Sequence, residues 1–199
     1  MPGNPRRELR HRLVAIAGAQ SGYFSAAQAR GAGYSYQAQK QNADRGNWVK
    51  VGRGLFRLPG WPAGRHEDLV RLSLWSRGRA VVSHESALSV HELGVVNPAR
   101  IHLTVPRGFR QRPPAGVVLH QGVLPEGDVR DQEGFRVTTP LRSLLDAAAG
   151  DLDLDLLAGA IEDALDQGVL TRSRLLARAE ELGPKAALRI ERALHRGER

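Results

Sequence analysis

Cysteine is absent from the 199 residues, which excludes disulfides and thiolate metal sites and gives no sign of an oxidising compartment. No run of about 18 apolar residues occurs, and the opening MPGNPRRELRHR lacks the apolar core of a signal peptide. A soluble, cytoplasmic protein with no membrane partner is expected. Lysine occurs only at Lys40, Lys50 and Lys185. Many metal-dependent nucleases place an acid two residues before a lysine, and here those places hold Ala38, Trp48 and Gly183. No Gly-Ser pair is present to open the metal-holding motif of a common nucleotidyltransferase, and there is no Walker loop, dinucleotide fingerprint or GxSxG elbow. The sequence reads as non-catalytic, with no catalytic residue and no cofactor.

What is present is an ordinary globular composition, 41% hydrophobic and 25% charged, in a chain long enough to bury one large core or two small ones. The net charge of +8 is unevenly placed. Residues 1–65 carry eleven Arg or Lys against Glu8 and Asp44, a net of +9, and the remainder has 18 basic and 19 acidic residues, a net of −1. Arginine outnumbers lysine 26 to 3. Codon bias explains arginine over lysine, but it does not separate acids from bases along a chain. A concentrated cationic surface favours a polyanion, of which nucleic acid is the commonest.

The basic third contains an organised stretch, Gly22 to Leu58. Ser25 can cap a helix through about Arg30, Gly31-Ala32-Gly33 breaks it, and Ser35 can cap a second helix from Tyr36 to about Arg45, ended by Gly46. Two helices around a short glycine turn have the helix-turn-helix outline. Trp48 to Val51, the turn Gly52-Arg53-Gly54, and Leu55 to Leu58 before Pro59 then read as a β-hairpin wing. Leu9, Leu13, Ile16 and Ala17 recur at helical spacing over residues 6–18 and supply a bracing helix. On the second helix Gln37 and Gln41 suit adenine, Lys40 and Arg45 suit guanine or phosphate, and the Tyr36 hydroxyl suits phosphate. A solvated polar helix is the competing account. Gln39 and Asn42 stand where apolar residues are expected to face the bracing helix.

Beyond Trp61-Pro62 and Gly64, read as a linker, helices are expected over His66–Ser76, over HESALSVHEL ending at Gly94, over LRSLLDAAA after the cap Thr139 and Pro140, from about 151, and over 172–182 and 185–195. Short strands are expected at 80–82, 101–105, 117–120 and twice between 128 and 138. Arg107 to Pro114 reads as an exposed basic loop, able to touch phosphate but more simply solvated.

Two constellations invite a metal. His84-Glu85 and His91-Glu92 put two histidines about 10.5 Å apart along a helix, too far to share an ion, and the zinc-protease interval is missing. His102 and His120 fall on neighbouring strands that can bring them together, with polar structural roles preferred. Asp151, Asp153, Asp155 and Glu162 match a calcium loop, but its obligatory glycine is Leu156. No metal site is expected.

The serial order of GYFSAAQARGAGYSYQAQKQNADRGNWVKVGRGLFRLPGWP, VVSHESALSVHELGVVNPARIHLTVPR, VLHQGVLPEGDV and GFRVTTPLRSLLDAAAG resembles the AbiEi family of antitoxins from type IV toxin–antitoxin systems, over about residues 20–166. The resemblance implies an α+β chain: a winged helix-turn-helix domain over 1–62, then an antitoxin domain over 66–199 with a mixed α/β core to about 150 and a helical segment from about 151. Family members bind inverted repeats of double-stranded DNA in their own promoter, repress it, and counter a nucleotidyltransferase toxin. Direct contact with that toxin is left open. DNA reading is then assigned to Tyr36, Gln37, Lys40, Gln41 and Arg45, with Lys50 and Arg53 in the wing. The alternative is a stand-alone winged-helix regulator whose C-terminal region senses a ligand or mediates dimerisation.

Overall fold

A computed structural model describes residues 5–197; residues 1–4 and 198–199, counted above in the two domains, lie outside the described residues. The chain has an α+β fold and divides into two compact units, one running to Gly78 and including Asp131–Phe135, the other comprising Arg79–Arg130 and Arg136 onward.

The first unit is ordered α1 (Pro5–Gly18), β1 (Tyr23–Ser25), α2 (Ala26–Gly31), α3 (Tyr36–Asp44), β2 (Val49–Gly52), β3 (Leu55–Arg57) and α4 (Glu67–Trp75). Its antiparallel sheet runs β1-β3-β2, with Phe24 opposite Phe56 and Val49 opposite Arg57. This is winged helix-turn-helix topology. So small a unit draws its core from aromatic area: Trp48 meets Phe24 edge-on at 4.9 Å and Tyr34 at 5.0 Å, and Phe24 stacks on Phe56 at 5.8 Å. Leu13 and Ala17 close that core from α1. In the turn between α2 and α3, Gly33 sits at φ +108° and a Cβ there would come within 2.4 Å of Leu9. Only glycine lets α1 pack that closely on the turn.

The linker signal at Trp61-Pro62 is structured. Arg57 donates to the carbonyls of Trp61 and Pro62 and pairs with Glu67 at 2.6 Å, while Tyr23 donates to the same carboxylate at 3.1 Å. The Gly64 amide bonds Glu67, whose carboxyl is held below its ordinary range by that bond first. These links fasten α4 to the winged unit, so the division falls at Gly78, whereas composition alone placed it between 62 and 66.

The second sheet is ordered β6-β5-β4-β8-β7, formed from β4 (Val81–Val82), β5 (Ile101–Val105), β6 (Val117–Gln121), β7 (Val129–Gln132) and β8 (Phe135–Thr138). β4 pairs antiparallel with β5 and parallel with β8, and β5 pairs parallel with β6. Helices α5 (His84–Val90), α6 (Pro140–Ala149), α7 (Leu154–Asp166), α8 (Arg172–Leu182) and α9 (Pro184–Gly197) supply an aliphatic core that includes Leu88, Leu144, Leu157, Ile161, Leu175 and Ile190. α5 ends three residues short of the expected Leu93. Glu92 takes φ +56° and the Leu93 amide bonds the Leu88 carbonyl, a left-handed helix stop of the Schellman kind.

The calcium-like acids turn out to be helix and ion-pair groups. Asp153 caps α7 by accepting from Asp155 and Leu156 amides, Asp155 pairs with Arg196, and Asp151 pairs with Lys185.

Candidate nucleic-acid interface

α2 begins in a full capping box: the Gln28 amide donates to Ser25 Oγ at 3.1 Å and the Ser25 amide to Gln28 Oε1 at 2.8 Å. Ser35 caps α3 by accepting from the Ala38 amide. Satisfying these first-turn donors fixes where each short helix starts, and hence which residues of α3 face out.

The inward face of α3 is unusual. Gln39 is 3% exposed, and its Nε2 donates to the carbonyls of Ala26 and Tyr34, each at 3.1 Å. The expectation of an apolar residue there is corrected: a buried amide joins the start of α2 and the turn to α3, and its burial is offset because its donors are used. Asn42 likewise turns inward locally. It donates to the Ala38 carbonyl, accepts from Asn47, and its own carbonyl takes the Trp48 amide. The end of α3 is thereby tied to the first strand of the wing.

Tyr36, Gln37, Lys40, Gln41, Asp44 and Arg45 are exposed, and the spacing of 37, 40, 41 and 44 places them on one helical face. Tyr36 is 66% exposed. Arg30, which the sequence did not single out, lies 5.3 Å from its ring and donates to its hydroxyl at 3.3 Å. Only the structure reveals that pairing, because it crosses from α2 to α3. Asp44, the one acid on this face, would oppose a phosphate.

In the wing Lys50 and Arg53 are exposed, and the β2–β3 register shifts between Lys50 and Gly52. Among the described residues Lys40, Arg45, Lys50 and Arg53 form no ion pair. Every side chain nominated for DNA from the sequence is therefore exposed, five on or just after α3 and two on the wing.

The histidines assemble elsewhere, in the second unit. His102 Nδ1 lies 2.9 Å from a Glu85 carboxylate oxygen and 3.1 Å from His120 Nε2, and the His84 ring stacks on His120 at 3.6 Å. Burial first, then the neighbouring His120, pushes His84 down to about 3, and burial also lowers His120. His91 is apart, its Nε2 donating to the Thr138 carbonyl at 2.6 Å. Among the described residues no group of three or more His, Cys, Asp or Glu is arranged to hold a metal ion.

No family model and no curated protein matches the chain. Among solved structures, it is similar to the crystal structure of the RV2827C protein from Mycobacterium tuberculosis, with a TM-score of 0.62 and 15% sequence identity over 95% of this chain and 77% of that one. At that identity the likeness bears on the fold alone.

Proposed function

We propose that the chain is a sequence-specific DNA-binding autorepressor that also serves as the non-catalytic antitoxin of a nucleotidyltransferase toxin. One observation carries the DNA half: a capped helix in winged helix-turn-helix topology offers amide and cationic side chains on one exposed face, with no ion pair to compete for them. α3 enters the major groove, Gln37 and Gln41 address base edges, and Lys40, Arg45, Lys50 and Arg53 neutralise backbone phosphates. Two copies on an inverted repeat would match the half-site geometry of such folds. The antitoxin half rests on the sequence resemblance, which assigns neutralisation to the segment after about His66.

The test is promoter binding across a salt series by the full chain carrying Lys40→Ala and Arg53→Ala. Each lost phosphate contact lowers the slope of log affinity against log salt by about 0.9, so a fall of roughly 1.8 is expected. An unchanged affinity and slope would overturn the assignment. Growth rescue on co-expression with the product of the adjacent reading frame tests the antitoxin half, and the absence of any rescue from a toxic neighbour would remove it.

A further inference from the structure

A second cationic surface lies in the second unit, where overall charge hides it. From Leu93 through Pro125 the sequence contains no Asp or Glu but has Arg100, Arg107, Arg110 and Arg112. All four are exposed, and among the described residues none has an ion pair or hydrogen-bond partner. Several cations of the C-terminal helices are treated differently. Arg142, Arg178, Lys185 and Arg196 pair with carboxylates, and Arg189 donates to the carbonyls of Gly150 and Leu152. Three of the unpaired arginines, Arg107, Arg110 and Arg112, fall within one loop between β5 and β6.

That loop is built, not slack. Its first turn is Pro106-Arg107-Gly108-Phe109, closed by the Phe109 amide on the Pro106 carbonyl at 3.1 Å with Gly108 at φ +79°. Its last is Pro114-Ala115-Gly116-Val117, closed at 3.3 Å with Gly116 at φ +78°. Glycine at the third position with positive φ marks both as type II turns. Phe109 is 6% exposed and anchors the loop in the unit, with the Arg79 guanidinium 4.7 Å above its ring. The exposed Arg107 and Arg110 flank this buried anchor, so their backbone positions are set before any ligand arrives.

We propose that the Pro106–Gly116 loop is a second phosphate-binding surface, which grips the backbone of duplex nucleic acid without reading its sequence. Guanidinium groups suit phosphate oxygens through paired donors. Duplex is favoured over single strand because sequence-tolerant single-strand binding uses aromatic platforms for the bases. The only aromatic ring in the loop is Phe109, and it is buried. This surface is independent of α3 and the wing.

The experiment compares the full chain with Arg107→Ala/Arg110→Ala/Arg112→Ala and with the Lys-substituted triple at the same positions. Binding to a random-sequence duplex and to oligo-dT of equal length is followed across a salt series. Loss of three phosphate contacts predicts that the alanine triple lowers the duplex slope by roughly 2.7, with the slope restored in the lysine triple. An unchanged slope overturns the proposal, and so does a loss confined to oligo-dT. Running Lys40→Ala/Arg53→Ala in parallel separates the two readings. If it binds duplex as the parent does while the loop triple fails, the role assigned to α3 falls and the loop stands; the reverse pattern sinks the loop alone.

Discussion

In the first unit Lys40, Arg45, Lys50 and Arg53 face solvent and, among the described residues, form no ion pair, whereas in the second Arg142 is half-buried between two acids. Its Nη1 lies 3.1 Å from Asp128 and its Nε 2.8 Å from Asp146, and Arg178 also reaches Asp128. The cores differ in the same sense. One is a small aromatic cluster under a polar helix, the other an aliphatic stack in which α6 is buried along most of its length. A paired, desolvated cation is committed to holding elements together, and an exposed unpaired one contributes little to stability and stays available for a ligand. Stability should therefore respond to loss of paired cations such as Arg142, and DNA affinity to loss of unpaired ones such as Lys40 and Arg53.

The largest effect expected from this contrast is that of Arg142→Ala. Burial pushes the Asp146 carboxyl up to about 6 even with Arg142 beside it, so the site is already strained electrostatically. Removing the guanidinium leaves Asp128 and Asp146 buried without their main partner, a change that in comparable sites costs about 3–5 kcal/mol. Urea denaturation at pH 7 measures it, and promoter affinity of the still-folded fraction should be unchanged. A loss below 1 kcal/mol would show that the network is not a stabilising one and would dissolve the contrast between the units.

How far this division was visible beforehand depends on the range of the interactions. Helix starts at Ser25, Ser35 and Thr139 were legible because caps act over three residues, and the exposed face of α3 follows from its period. The role of Gln39 was not, because its acceptors lie 13 and 5 residues away and a periodicity argument registers only its polarity. The place of α4 was hidden for a similar reason. Trp61-Pro62 and Gly64 are turn formers wherever they occur, and nothing local announces that Arg57 will gather the Trp61 and Pro62 carbonyls and Glu67. Neighbouring strands suggested that His102 and His120 approach each other, but the stacking of His84 depends on how α5 meets the sheet, which no strand pattern encodes.

The histidine cluster gives an intermediate effect. His84 stays neutral in the folded chain down to about 3, against an ordinary value of 6.5. Below pH 6.5 the unfolded chain therefore takes up a proton that the folded chain refuses, and stability is lost as pH falls, at up to about 1.4 kcal/mol per unit. His91 and His120, lowered by burial, act in the same direction. Asp146 opposes them: with its folded value near 6 against 3.8, the folded chain binds its proton first and regains stability over that range. Three histidines are lowered against one carboxyl raised, so unfolding free energy should fall between pH 7 and 5. His84→Asn should flatten that dependence. Equal slopes in parent and variant would mean that His84 is free to titrate in the folded protein.

The smallest effect expected tests the first unit on its own terms. Replacing Gln39 with Leu keeps its approximate size but removes both donors, leaving the Ala26 and Tyr34 carbonyls short of a partner while improving the apolar fit. Each lost hydrogen bond is worth about 1 kcal/mol net, and the gain from burying Leu offsets part of it, so a loss of roughly 1 kcal/mol is expected. The informative reading is the pair of measurements. If the amide's purpose is to set the angle of α3, promoter affinity should drop by more than the stability change explains, since a small misplacement moves Gln37, Lys40 and Gln41 together. A variant that is slightly less stable yet binds as the parent does would show that packing alone places α3. The buried amide would then be an ordinary satisfied core group, and the first unit would hold its elements by the same means as the second.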